Sequence, residues 1–192
     1  MKVKALLAAF LIGGAALAEP VRAQTITYDD QPTAQDHIEI LNTLVEMGVN
    51  VQINNPAICN RERGVAGYWM GGKRLFAVCQ QTIRNAKLPN YTGRVVLATD
   101  DDLDTIRHEA HHVIQDCKDG RLDGYLDHYF TPSNLVTFLE NYPDWKEDYI
   151  REQYGALGET QHVINLEVEA WAVADLVDAS TINEVLRREC KV

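Results

Sequence analysis

A chain of 192 residues can bury one hydrophobic core and has little room for a second, so one domain is expected. With 46% hydrophobic and 24% charged residues its composition is globular, which excludes disordered and fibrous chains. A formal net charge of −10 repels phosphate backbones and anionic headgroups, arguing against nucleic-acid or membrane-surface partners and favouring neutral or basic ones.

Lys2 and Lys4 precede an apolar run from Ala5 to Ala18 and then small residues, the pattern of an export signal over residues 1–23. Cleavage fits after Ala18 or after Ala23, leaving 24–192 as a single, still more acidic domain. The run is shorter than the roughly 20 residues a membrane-spanning helix needs, so a secreted or periplasmic protein is expected. In an oxidising compartment the four cysteines can form two disulfides. Of the three possible pairings we favour two bridges. Cys59–Cys79 would close the base of a hairpin, and Cys117–Cys190 would tie a C-terminal helix to the motif helix described below.

Ile38, Ile40, Leu41, Leu44, Val45 and Met47 mark an amphipathic helix ended by Gly48 and Asn50. Strands are expected over 49–53, 65–70 and 74–79, the last two flanking the turn Gly71-Gly72-Lys73, and again over 94–99. Asp100, Asp101 and Asp102 supply capping carboxylates for a helix over 103–117, whose apolar stripe is Leu103, Ile106, Ala110, Val113, Ile114 and Cys117. After a loop punctuated by Gly120, Gly124 and Pro132, helical patterns run over 133–140, 144–154, 162–177 and 181–190. The fold class is α+β: a small, mostly antiparallel sheet, an active-site helix and a C-terminal helical lobe.

The helix over 103–117 carries His108-Glu109-Ala110-His111-His112, which satisfies H-E-x-x-H. Histidines four residues apart lie on one helix face, about 6 Å apart along the axis, so both imidazoles can reach one zinc ion at about 2.0–2.1 Å. Glu109 then stands where a general base can take the proton of the attacking water. His111 is set aside as a ligand because choosing it would leave Glu109 without that role. The expected cofactor is one Zn2+ per chain, and a third protein ligand is required. No histidine follows at the short metzincin spacing. Glu167 and Glu169 lie on a later helix, pointing about 200° apart on the margins of its apolar face, and periodicity does not choose between them.

The two motifs together resemble the gluzincin metallopeptidases, in which a second helix supplies a ligand glutamate. Glu167-Val168-Glu169-Ala170 is similar to the E-x-E-A run of compact gluzincins, where the glutamate before alanine is the ligand. The resemblance implies a zincin-like fold, Glu169 as third ligand, and a peptide or protein substrate lying along an edge strand above the metal. The sequence departs from that pattern in two places. Trp171 stands where some of these groups have an aspartate that orients the first histidine; Asp116, one turn beyond His112, is a conceivable substitute that reads first as an exposed helix residue. No His or Tyr follows Glu169, which leaves Tyr125, Tyr129, Tyr154 and His162 as upstream candidates for a transition-state donor. The rival reading is a secreted zinc-containing binding or inhibitory module without turnover.

Overall fold

The structure is a computed structural model that describes residues 32–60, 65–82 and 98–190. The export signal expected over 1–23, and all but the last two residues of the strand expected over 94–99, lie outside the described residues. Seven α-helices and three strands are described, in the order α1 Pro32–Glu46, β1 Asn50–Ile53, α2 Pro56–Cys59, β2 Gly67–Met70, β3 Leu75–Val78, α3 Asp100–Cys117, α4 Pro132–Leu139, α5 Asp144–Ala156, α6 Gln161–Leu176 and α7 Ala179–Glu189. The chain is α+β as expected, and its helices outweigh its sheet.

The sheet is mixed rather than mostly antiparallel. Its order is β1-β3-β2: β3 pairs in parallel with β1 (Val51 opposite Phe76) and antiparallel with β2 (Trp69 opposite Phe76). The expected hairpin is the β2–β3 pair. What the local pattern does not reveal is that α2 and β2 provide a crossover long enough to return β3 beside β1 in parallel. Gly71–Lys73 forms a single 3-10 turn, and Arg74 takes the left-handed conformation (φ 47°) that reverses the chain.

The central element is α3. Thr99 caps it: its hydroxyl accepts from the Asp102 N–H (3.3 Å), the Asp102 carboxylate accepts from the Thr99 N–H (2.9 Å), and the same carboxylate accepts from the Gln81 N–H (2.6 Å). The capping carboxylate therefore also ties the chain beyond β3 to the helix start. Ile106, Ala110, Val113, Ile114 and Cys117 enter the main core with Phe76, Val78, Trp69 and residues of α1, α6 and α7. Packed against sheet and helices on several sides, α3 buries polar as well as apolar side chains.

Asp116 is one of these buried polar residues, not the exposed helix residue its position suggested. It accepts from the Trp69 indole Nε1 (2.8 Å) and from the backbone N–H groups of Asp123 (3.0 Å) and Gly124 (2.9 Å). One carboxylate thus fastens both β2 and the loop after α3 to the helix. The turn at Gly71 is drawn so close that a Cβ there would fall on the Asp116 carboxylate and on the Gly124 backbone.

Both favoured disulfides are present. Cys117–Cys190 (Cα–Cα 5.2 Å) joins the end of α3 to the end of α7 as expected. Cys59–Cys79 (Cα–Cα 5.6 Å) joins the end of α2 to the residue after β3, instead of closing the β2–β3 hairpin. Two disulfides fit an oxidising compartment. No described helix is long and apolar enough to cross a membrane.

The Gly71 contact predicts a sharp contrast between neighbours. Gly71→Ala should cost about 1–3 kcal/mol by overpacking and lower the thermal midpoint measurably. Gly72→Ala, whose Cβ would meet nothing within 4 Å, should change it little. Thermal melts of the two variants side by side check this.

Candidate metal centre

His108 and His112 project from successive turns of α3 with their Nε2 atoms 3.1 Å apart. Glu167, on the facing surface of α6, brings Oε2 to 3.3 Å from His108 Nε2 and 3.4 Å from His112 Nε2. Ligands held about 2.0–2.1 Å from one tetrahedral ion stand about 3.3–3.4 Å from each other, so the three atoms already form one face of such a site. Among the described residues this is the group of His, Cys, Asp and Glu side chains arranged to hold a metal ion, and all three are buried. Glu167 Oε2 meets no donor with hydrogen-bond geometry, a costly state for a buried carboxylate oxygen. A cation between the three atoms removes that cost, so the residues fit a metal.

Glu167, and not the expected Glu169, is the carboxylate that the structure brings to His108 and His112. Glu169 is also buried, but its two oxygens are taken by four donors: His111 Nε2 (2.8 Å), Gln115 Nε2 (3.1 Å), the Tyr129 N–H (2.9 Å) and His128 Nδ1 (2.9 Å). With α6 wedged between α3 and its other neighbours, both glutamates are buried on opposite margins of one helix, each against different imidazoles. His111 is committed to Glu169 and stays out of the triangle, in line with its exclusion from the sequence.

Glu109 is buried beside the triangle. Its carboxylate accepts from the Trp69 backbone N–H, while Oε2 is left without a hydrogen-bond partner. Strand β2 passes close by: a Cβ on Gly67 would lie 2.7 Å from Thr105 Cγ2 and 3.2 Å from Glu109 Cγ. Trp171 packs on His108 with ring centroids 4.2 Å apart and the rings tilted by 36°, and the Tyr154 hydroxyl lies against Glu167 and Trp171. Tyr154 is thus the one donor candidate these contacts place at the cluster. The Tyr129 hydroxyl accepts from Arg188 (3.0 Å), the His162 ring packs on His128 (5.5 Å) on the Glu169 side, and Tyr125 lies in the loop beyond α3 with its N–H on Asp123 (3.1 Å).

The electrostatics follow from burial and mutual charge. Burial pushes the Glu109 carboxyl up to about 8, opposed by His112 and reinforced by Glu167. Burial also pushes His108 down to about 4. It opposes charge on His112 as well, but there the Glu167 carboxylate prevails and holds the imidazole up at about 9. Glu167 itself is kept well below the usual carboxylate range by His112 and His108 despite its burial, and Glu169 likewise by its hydrogen bonds from His111 and His128. Among these three side chains the Glu167 carboxylate favours positive charge on His112 rather than on His108.

Three participants lie outside what the sequence singles out. The helical period does not favour Glu167 over Glu169. Asp116 reads from its position as solvent-facing. Gln115 lies three residues after His112, the spacing at which helix side chains meet, and that spacing is its one signal in the sequence.

A family model described as a domain of unknown function (DUF8637) matches residues 31–191, so the chain belongs to that family. It matches no curated protein and no solved structure.

The geometry predicts the order of metal loss. Glu167→Ala should weaken metal binding by more than the roughly 10–100-fold that loss of an outer partner costs. Glu169→Ala should stay within that range. Equilibrium competition against a chromophoric chelator measures both, and the opposite order would return the ligand to Glu169.

Proposed function

We propose that this DUF8637 member is an exported zinc-dependent hydrolase of gluzincin type, a metallopeptidase, with one zinc ion per chain on His108, His112 and Glu167 and with Glu109 as general base. The observation that carries the reading is the triangle of ligand atoms with a buried, half-partnered carboxylate next to it. A purely structural zinc site closes with four protein ligands, whereas the triangle offers three. A divalent metal there supplies Lewis acidity, polarising a carbonyl and acidifying the attacking water.

The chain's own residues provide the remainder. Glu109 is placed to take the water's proton and return it to the leaving amine. Tyr154, against Glu167, is placed to donate to the oxygen on which negative charge develops. Strand β2 stands at an edge of the described sheet. Because the Cys79 N–H donates to the Ala66 carbonyl (2.7 Å), the antiparallel alternation turns the backbone groups of Gly67 and Trp69 away from β3, where the Trp69 N–H is taken by Glu109. A peptide added along that edge would pair at Gly67 and pass directly beside Glu109, as the zincin-like reading expects. The acidic surface favours neutral or basic peptides, and the reading leaves no role for nucleic acid or a membrane surface.

The second reading, a zinc-bearing binding or inhibitory module, draws on the burial of His108, Glu109, His112 and Glu167 under Trp171. Glu109 weighs against it, since metal retention alone has no need of a buried carboxylate beside the first histidine.

Glu109→Gln separates the two. It should keep stoichiometric zinc and the fold while hydrolysis in a casein or peptide-library digest falls by about 10^2–10^4-fold, the usual worth of a positioned acid or base. Digestion at the native rate by this variant would remove Glu109 from the chemistry. Zinc uptake with no digestion by the unaltered protein would favour the binding module.

A further inference from the structure

We infer that Gln115, held by Glu169, is the positioning residue that fixes His112 for the metal, so that the two glutamates of α6 divide the work between ligation and orientation. The inference rests on the metal assignment above and concerns residues that the gluzincin pattern does not supply.

The side-chain amide of Gln115 is buried, and its orientation is set by its partners. Its NH2 group faces two acceptors, the Leu166 carbonyl (3.2 Å) and Glu169 Oε1 (3.1 Å). Its oxygen is thereby turned to His112 Nδ1 at 2.7 Å. An amide oxygen only accepts, so His112 Nδ1 carries the proton and donates. Nδ1–H leaves the lone pair of the neutral ring on Nε2, the atom that faces His108 and Glu167. The amide therefore fixes both the tautomer and the ring plane of one ligand.

Glu169 fixes the amide. It is fully buried and accepts from His111 and Gln115 on α3 and from His128 and Tyr129 in the loop before α4, so it cannot rotate without abandoning several donors. The same bond to His111 Nε2 makes that nitrogen a donor and withdraws the ring that could otherwise compete with His108 or His112. His108 has no comparable device: its Nδ1 is buried without a hydrogen-bond partner, and its ring packs against the tilted Trp171 indole. Orientation by hydrogen bonding is thus concentrated on His112.

The test compares Gln115→Met, which is close in size and neither donates nor accepts as the amide does, with Ile114→Val, a neighbouring core change on the same helix. Zinc affinity is read by chelator competition and ligand geometry by the visible absorption of the cobalt-substituted protein. Gln115→Met should lose about 10–100-fold in zinc affinity and shift the cobalt bands. Ile114→Val should lower the thermal midpoint while leaving both metal readouts unchanged. Glu169→Gln, which puts a donor among four donors, should reproduce the cobalt shift in weaker form and provides the same reading should Gln115→Met not fold. Native zinc affinity and native cobalt bands in Gln115→Met or in Glu169→Gln overturn the inference. An unaltered protein that takes up neither metal overturns the metal reading itself, and this inference with it.

Discussion

The structure depends on how two carboxylates on α6 are accommodated in the interface with α3. A buried ionised carboxylate is costly unless it is paired and hydrogen-bonded, and removing one partner of such a pair costs about 3–5 kcal/mol. Glu169 meets the requirement with four donors, whereas Glu167 meets it only in part, through the Tyr154 hydroxyl and two imidazoles at 3.3 and 3.4 Å from an oxygen that lacks a hydrogen bond. This difference separates a carboxylate fully satisfied by the protein from one that could take a cation. Both act on the same helix pair, so the register of α6 against α3 fixes the site and its support at once.

The sheet serves the same helix. The Asp116 carboxylate holds the Trp69 indole, and the Trp69 backbone N–H in turn meets Glu109, two turns earlier on α3. One residue of β2 is thereby anchored at two points along the helix that carries the histidines. The Cys117–Cys190 bridge closes the far end of α3 onto α7, and the Cys59–Cys79 bridge fixes the chain leaving β3. The elements that border the triangle are braced from outside it, which suits side chains required to hold about 0.5 Å of geometry.

Local patterns revealed the parts of this arrangement that are local. The motif helix, the pair His108 and His112, the β2–β3 hairpin and the four later helices were legible because each follows from spacing along the chain; both favoured cysteine pairs are present, but Cys59 lies on α2 and not at the base of the hairpin that suggested its pairing. The choice between Glu167 and Glu169 was not. A helix with partners on several sides has no clean polar face, and the loop donors that saturate Glu169 lie about 40 residues away in sequence (Tyr129 and His128). Asp116 misled for a related reason: its partners, an indole from β2 and two backbone amides from a loop, exist only once the chain has folded. The parallel pairing of β1 with β3 is equally non-local. The resemblance pointed to Glu169, whereas in the structure the carboxylate beside His108 and His112 is that of Glu167, and Trp171 lies beside the His108 ring.

That aromatic ring also bears on the chemistry. Trp171 lies against the His108 ring, the Tyr154 hydroxyl meets Glu167, and burial is the leading cause that lifts Glu109 to about 8. A carboxyl so placed is largely protonated at neutral pH while the triangle holds only its own charges. Opposite charge within a few ångströms favours the ionised form, so a cation among His108, His112 and Glu167 would pull Glu109 back toward the carboxylate a general base must be. Burial of this cluster would therefore couple the charge on Glu109 to the binding of a cation by the triangle, and the low dielectric there would strengthen that coupling.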